Sequence, residues 1–229
     1  MKLLAIETSE AACSAAIWCD GDVIEEYREQ PQGHSELLLP MVDALISESG
    51  IGKSHLDAIT FGRGPGSFTG VRIAAAVTQG ISFGLDIPVI PVSSLLALAQ
   101  GVSRASGCQQ VAAAFDARMN EVYWALCSVD ADGVMQLQSR ELVCAPGQVS
   151  QPVQQGRWAG AGSGWGAYTE ELSERMSPWL EQQFPHLFCH AQDVAVIAAH
   201  ALSQDGVAVT AAEALPLYLR NDVAKKIGV

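Results

Sequence analysis

The run Phe61-Gly62-Arg63-Gly64-Pro65-Gly66-Ser67-Phe68-Thr69-Gly70-Val71-Arg72 is where the chain could most readily do chemistry. Four glycines and a proline separate a strand-like segment, Leu56 to Phe61, from a helix-like one, Val71 to Phe83. Glycine permits positive φ and close backbone approach. Several N–H groups can therefore converge where a helix begins, and Gly64, Gly66 and Ser67 become candidate contacts for an anion or phosphate. The plain alternative is a turn whose glycines serve packing. Two known devices are excluded. A Walker loop needs a lysine that this segment lacks, and a nucleophile elbow needs glycine where Pro65 stands, two residues before Ser67.

Other groups have chemical potential of their own. Glu7-Thr8-Ser9 ends the first strand-like run, and its carboxylate is a candidate for handling phosphate or metal; otherwise the hydroxyls satisfy a strand end. Asp116-Ala117-Arg118-Met119-Asn120-Glu121 joins two strand-like runs. Asp116, Arg118 and Glu121 there could hold a ligand or a partner, or form a solvated ion pair worth little. Gly162-Ser163-Gly164-Trp165-Gly166-Ala167 matches a dinucleotide fingerprint but opens late in its half of the chain, away from a first βαβ unit. His186 and His190 have helical metal-site spacing, yet Pro185 precedes them and no acid lies between, so no metal site is expected. No nucleophile–base pair is evident, and Ser67 and His34 stand without visible companions.

Composition narrows the classes. At 229 residues, with 49% hydrophobic and 17% charged side chains, the chain is globular and has material for a sizeable core. No apolar run reaches the ~20 residues of a membrane span, and Glu7 interrupts the N-terminus too early for a signal peptide. Six cysteines without a C-x-x-C pair fit free thiols in a reducing cytoplasm. A net charge of −12, from 13 basic and 25 acidic residues, argues against an autonomous nucleic-acid binder.

These groups need a frame to position them. Leu3–Thr8, Ala12–Cys19 and Val23–Glu29 read as strands, with Asp20-Gly21 as a hairpin turn. Leu37, Leu38, Met41, Val42, Leu45 and Ile46 recur at helical spacing over about Ser35–Ser49, with Pro40 predicting a late start or a kink. A strand, the glycine turn, a helix, a strand (Ile87–Val92) and a helix (Ser93–Gln100) come next. The order βββαβαβα is the ribonuclease-H-like pattern. A second unit opens with strands at Val111–Phe115, Glu121–Cys127 and Met135–Val143. It continues with a strand at Arg157–Gly160, a helix to Met176 and a last helix, Val194–Leu202, that Asp193 would cap. The predicted lobes are residues 1–104 and 105–229, the last helix packing back on the first. In the helix after the glycine turn, Ala76, Gly80 and Gly84 form a small-residue stripe, explained either by core packing or by a helix-to-helix protein interface. The missing catalytic set favours the interface.

The chain resembles the TsaB family, also called YeaZ, over essentially its whole length. The residues carrying the resemblance are Leu4-Ala5-Ile6-Glu7-Thr8-Ser9, Gly62 to Arg72, Asp116 to Trp124, and Pro216-Leu217-Tyr218-Leu219-Arg220. The family usually has aspartate where this chain has Glu7. The resemblance implies an α/β fold of two ribonuclease-H-like lobes, of the actin/sugar-kinase/Hsp70 superfamily, the second lobe reduced. It implies a cytoplasmic, non-catalytic subunit in the formation of N6-threonylcarbamoyladenosine in tRNA, next to the anticodon of tRNAs reading codons that start with A. The partners implied are the metal-bearing transferase TsaD, the ATPase TsaE and a second copy of the chain, with tRNA reached only indirectly. The partner surface implied is Leu37, Leu38, Met41, Leu45, Arg72, Ile73, Ala76, Val77, Gly80 and Gly84. The chain would need no cofactor of its own, ATP or ADP sitting at the shared interface near Arg118. An independent ATPase or glycoprotease-like peptidase is the competing expectation.

Overall fold

Asp20 and Gly21 both adopt positive φ, 50° and 108°, and this two-residue turn joins β2 (Ala12–Cys19) to β3 (Asp22–Glu29). Such a turn matches the right-handed twist of the strands it connects. The computed structural model describes residues 1–153, 156–204, 206 and 208–220. The hairpin continues onto β1 (Lys2–Glu7), which is antiparallel to β2 and parallel to β4 (Ala58–Gly62), and β4 pairs in parallel with β5 (Val89–Val92). The strand order is β3-β2-β1-β4-β5.

The second sheet repeats this plan. β6 (Gln110–Asp116) is antiparallel to β7 (Val122–Val129), which pairs β8 (Met135–Leu137) and β9 (Leu142–Cys144). On its other side β6 pairs in parallel with β10 (Trp158–Ala161), and β10 with β11 (Leu180–Phe184). The order β8-β7-β6-β10-β11 is the first sheet's order renumbered. Two such lobes in tandem are the actin/sugar-kinase/Hsp70 architecture.

Helices set the lobes against each other. α1 (His34–Ser49) and α2 (Phe68–Leu85) cover one face of the first sheet. α3 (Ser94–Ser106) leaves the first sheet and packs on the second, with every residue from Ser94 to Val102 buried. A helix apolar all round belongs between layers, and this one touches both β6 and α6 (Ala191–Ser203). α6 returns from the second half and lies across β1 and β2. Its first turn is capped by the first lobe, because Glu25 accepts from Gln192 N at 3.1 Å and Ser14 Oγ accepts from Ala191 N at 2.9 Å. A carboxylate at a helix N-terminus is favoured by the helix dipole.

Several elements differ from the sequence expectations for physical reasons. α1 begins at His34 and continues unbroken past Pro40, which lies on the exposed face, where a carbonyl left unpaired one turn back is open to solvent. The predicted strand Met135–Val143 is two short strands. The helix expected up to Met176 is broken at Tyr168 into α4 (Ser163–Ala167) and α5 (Thr169–Met176). Asp193 does not cap α6; it lies inside the helix, and Arg104 of α3 donates to both of its oxygens at 2.9 Å. Among the described residues no helix is long and apolar enough to cross a membrane.

Candidate functional site

The glycine turn sits against the end of β1. A Cβ on Gly70 would lie 1.9 Å from Thr8 O, one on Gly66 2.5 Å from Ser9 O, and one on Gly62 1.8 Å from the Glu7 carboxylate. The absent side chains make room for this neighbouring backbone. Three of the turn's N–H groups are engaged: Arg63 N donates to Val92 O, Gly64 N to Ser94 Oγ and Ser67 N to Ser9 O. Ser67 Oγ caps α2 by accepting from Gly70 N. The packing alternative therefore accounts for Gly62, Gly66 and Gly70.

Glu7 is likewise closed in. Its carboxylate accepts from Ser9 N and, at 2.9 Å, from Ser94 Oγ, and it is 1% exposed. Burial raises its pKa, with the hydrogen bonds from Ser9 and Ser94 opposing. It does not line the cleft between the lobes, so the ligand role expected for it is not supported. Gly64 is buried against Val71 and the Leu217 carbonyl.

Between the lobes lies a cleft of about 770 Å³. Gly66 and Ser67 line it from the first lobe, Asp116, Arg118 and Ser163 from the second, and Leu217 to Arg220 from the C-terminal segment. The turn between β6 and β7 is unusual. Arg118, Met119 and Asn120 all have φ near +60° (60°, 57° and 60°), a conformation that costs non-glycine residues about 1 kcal/mol or more each. Asp116 accepts from Arg118 N at 2.8 Å and from its guanidinium at 2.9 Å. Arg220 holds the turn from outside, donating to Ala117 O at 3.1 Å and pairing with the Glu121 carboxylate. Glu121 is thus a structural partner of Arg220, not a free ligand contact.

Arg220 belongs to a strap that ties the lobes together. Val209 bridges to Val89, Gln79 Nε2 donates to Ala214 O, and Leu217 N donates to Arg63 O. Tyr218 OH accepts from Arg72 Nε at 2.8 Å, and the Arg72 guanidinium lies 3.4 Å over the Phe68 ring. Arg63 also reaches Glu141 of the second lobe at 3.3 Å. Sequence reasoning named Glu7 but missed Glu10, whose Oε1 accepts from Ser163 Oγ across the seam. Burial, with the nearby carboxylates of Glu7 and Asp116, pushes the Glu10 pKa up to about 8.

The partner surface expected on α1 and α2 needs correction in part. Leu38, Met41 and Leu45 are 0%, 6% and 1% exposed and belong to the core under the first sheet. They face β2, so no partner can reach them without unfolding the lobe. Leu37, Ile73 and Val77 are half-buried at its margin. Ala76, Gly80 and Gly84 are exposed, and a Cβ on either glycine would meet nothing within 4 Å. Phe83, 84% exposed on the same helix, and Leu39, 50% exposed on α1, extend this surface; both were absent from the sequence reading. Core packing does not explain the stripe.

Of the histidines, His34 is buried, and burial lowers its pKa; His190 stacks on Tyr27 with ring centroids 4.1 Å apart and pairs with Glu25. Among the described residues, one group brings three metal-type ligand atoms within 4.8 Å: Asp130, Asp132 and His200. Asp130 there already accepts from two backbone N–H groups, from Gln136 and from His200.

Two tandem ribonuclease-H-like lobes, a glycine turn packed on the end of β1 and an exposed helix face define a member of this two-lobed class. A family model described as TsaD, tRNA N6-adenosine threonylcarbamoyltransferase, matches residues 28–224. The chain is 40% identical to the tRNA threonylcarbamoyladenosine biosynthesis protein TsaB of Escherichia coli strain K12, over 99% of this chain and 97% of that protein. It is 37% identical to the TsaB of Haemophilus influenzae, over 99% and 96%. The solved structure of YeaZ from Pseudomonas aeruginosa superposes with a TM-score of 0.88 at 44% identity, over 95% of this chain and 99% of that one. The chain belongs to the TsaB (YeaZ) family, within the wider family that the matching model describes.

Proposed function

We propose that this chain acts in the formation of N6-threonylcarbamoyladenosine in tRNA as a supporting subunit that catalyses no step alone. It binds a TsaD-type transferase through the outer face of α2 and the adjoining edge of α1. The observation that carries this reading is the exposed surface of Ala76, Gly80, Phe83 and Gly84, continued by Leu39. Small residues let a partner helix approach closely, and an aromatic beside them supplies the anchor that protein interfaces favour. The same face pairs two copies when the transferase is absent, and a TsaE-type ATPase joins the complex. ATP or ADP associated with this chain lies at the surface shared with its partner. tRNA is gripped mainly by the partner, in keeping with the net charge of −12.

The test is to mix the purified chain with its TsaD counterpart and measure the mass of the complex by light scattering. Wild type should form a one-to-one pair. Gly80→Leu and Phe83→Asp should abolish it while leaving the melting temperature within a few degrees. Pairing that survives both substitutions would place the interface elsewhere.

A further inference from the structure

Arg72 is the only charged residue of α2, and the fold holds it in place. Its guanidinium lies 3.4 Å over the ring of Phe68, one turn earlier, and 5.5 Å from the ring centre of Tyr218 on the strap. The two rings are 5.9 Å apart between centroids and tilted by 44°, so they form a notch around the cation. Nε donates to Tyr218 OH at 2.8 Å. That bond uses one of the five N–H donors of a guanidinium. Among the described residues, no acceptor meets the other four, all on the two terminal nitrogens.

This sets Arg72 apart in a chain rich in carboxylates. Arg28, Arg63, Arg104, Arg118, Arg157 and Arg220 each reach an acidic side chain. Arg72 reaches none among the described residues, although the chain has 25 acidic residues against 13 basic ones. Fastening the strap to α2 needs only the Nε bond, and the rest of the guanidinium fork is left over. Its place is also telling. Arg72 is exposed, as are Phe68 (50%) and Tyr218 (46%), and it lies in line with Ala76, Gly80 and Gly84 on the outer face of the helix. A planar fork matches a carboxylate through two parallel hydrogen bonds. An arginine already held between two rings loses little further freedom when it binds one.

We propose that Arg72 is the charged anchor of the pairing surface. Its two terminal nitrogens donate to the carboxylate of an Asp or Glu side chain on the transferase, and the Phe68 and Tyr218 rings flank the ion pair and shield it from water. The proposal rests on the assignment of the α2 face as the partner surface and adds the chemistry that the partner must present: one acidic side chain among small or apolar neighbours, to match Ala76, Gly80 and Phe83. α2 carries no acid of its own, so the same helix of a second copy cannot supply the carboxylate, and the transferase is its source.

The experiment is calorimetric titration of the full chain with its TsaD counterpart. Arg72→Ala should weaken pairing about thirtyfold or more, and Arg72→Glu further still, because it sets like charges together. Arg72→Lys keeps the charge without the fork and should recover only part of the loss. Tyr218→Phe, which frees Nε but keeps the ring, should cost about threefold. Arg157→Ala, at a remote exposed ion pair, should change nothing. Melting curves establish that each variant is folded. The Arg72→Lys complex also gives a direct readout, since a carbodiimide joins an amine to a carboxylate in contact with it. Peptide mapping should find position 72 linked to an Asp or Glu of the transferase. Pairing that survives Arg72→Ala and Arg72→Glu, yet is abolished by Gly80→Leu, would overturn this proposal and leave the α2 surface standing. A cross-link to a second copy, or none, would overturn the transferase carboxylate. Failure of wild type to pair, or pairing that survives Gly80→Leu as well, would sink both.

Discussion

The two lobes share one strand order and one way of seating a glycine turn, yet they differ in the helices that this turn leads into. In the first lobe Gly66 and Gly70 pack on the end of β1, and the turn opens an 18-residue helix with an exposed outer face. In the second, Gly162 and Gly164 pack on Ala114 of β6, and the turn opens helices of five and eight residues. There Trp165 turns inward, its indole donating to Ala112 O at 2.8 Å and packing 6.0 Å from Trp124 between ring centroids. A shared core plan therefore supports two different outer surfaces. The first lobe keeps a long helix whose far side is free for a partner. The second ends its helices early, and its aromatic residues serve as internal packing. The glycine turns are common to both lobes and so cannot by themselves account for the exposed helix face present on one.

The largest expected effect breaks the turn of the first lobe. Gly70→Ala would drive a methyl group against the Thr8 carbonyl, with no flexible side chain to move aside. Overpacking of rigid backbone costs about 3 kcal/mol or more. In Gly164→Ala the closest atoms are the Ala114 Cβ at 2.8 Å and its backbone carbon and oxygen at 3.0 and 3.1 Å, a milder clash that should cost about 2 kcal/mol. Urea unfolding of the two variants beside wild type tests the ranking. Equal losses would mean that the turns are equally tight and that the tighter seating of the longer helix is not a real distinction.

Much of this frame was legible from residue type and order. Asp20-Gly21 named its hairpin because few residues accept positive φ in succession, and the order of strands and helices defined the fold class. β11 escaped because Leu180-Glu181-Gln182-Gln183-Phe184 is a half-exposed edge strand of mostly polar composition, set between Pro178 and Pro185. α3 was read short because its last turn, Ser103 to Ser106, is mostly polar and exposed and carries no apolar periodicity to mark it as helix. Helical spacing on α1 located an apolar face but not what covers it, so Leu38, Met41 and Leu45 were assigned to a partner when the first sheet covers them. Glycine composition cannot distinguish room for a phosphate from room for a neighbouring strand end. Glu10 carried no pattern at all; only the meeting of two lobes gives it a role.

That meeting predicts a pH dependence. The Glu10 pKa of about 8 in the folded chain lies above the ordinary 4.5. Between those values the folded chain keeps a proton that the unfolded chain has lost. Stability contributed by this group is therefore full below pH 4.5, falls as pH rises through the window, and levels off above pH 8. Glu10→Gln should remove this component and be the more stable protein at pH 8, by roughly 2 kcal/mol after allowing for water in the cleft. Melting temperatures from pH 5 to pH 9 give the measurement. Parallel curves for variant and wild type would show that Glu10 ionises freely and that the seam between the lobes is wetter than its geometry implies.

The smallest effect sets one end of α2 against the middle of the same helix. Gly80→Ala adds the same methyl group as Gly70→Ala, but into open space at an exposed helical position. Alanine is favoured over glycine there by about 1 kcal/mol, because it restricts the unfolded chain and forms helix more readily. The variant should therefore gain up to that amount, visible as a rise of a few degrees in melting temperature. A protein selected for stability alone would have no reason to keep glycine at this place. If Gly80→Ala is stabilising in the isolated chain but slows or weakens pairing with the transferase, glycine is retained there for the approach of a second helix. A destabilising Gly80→Ala would instead mean that the outer face of α2 is packed by its own chain, and the contrast between the two lobes would lose its functional meaning.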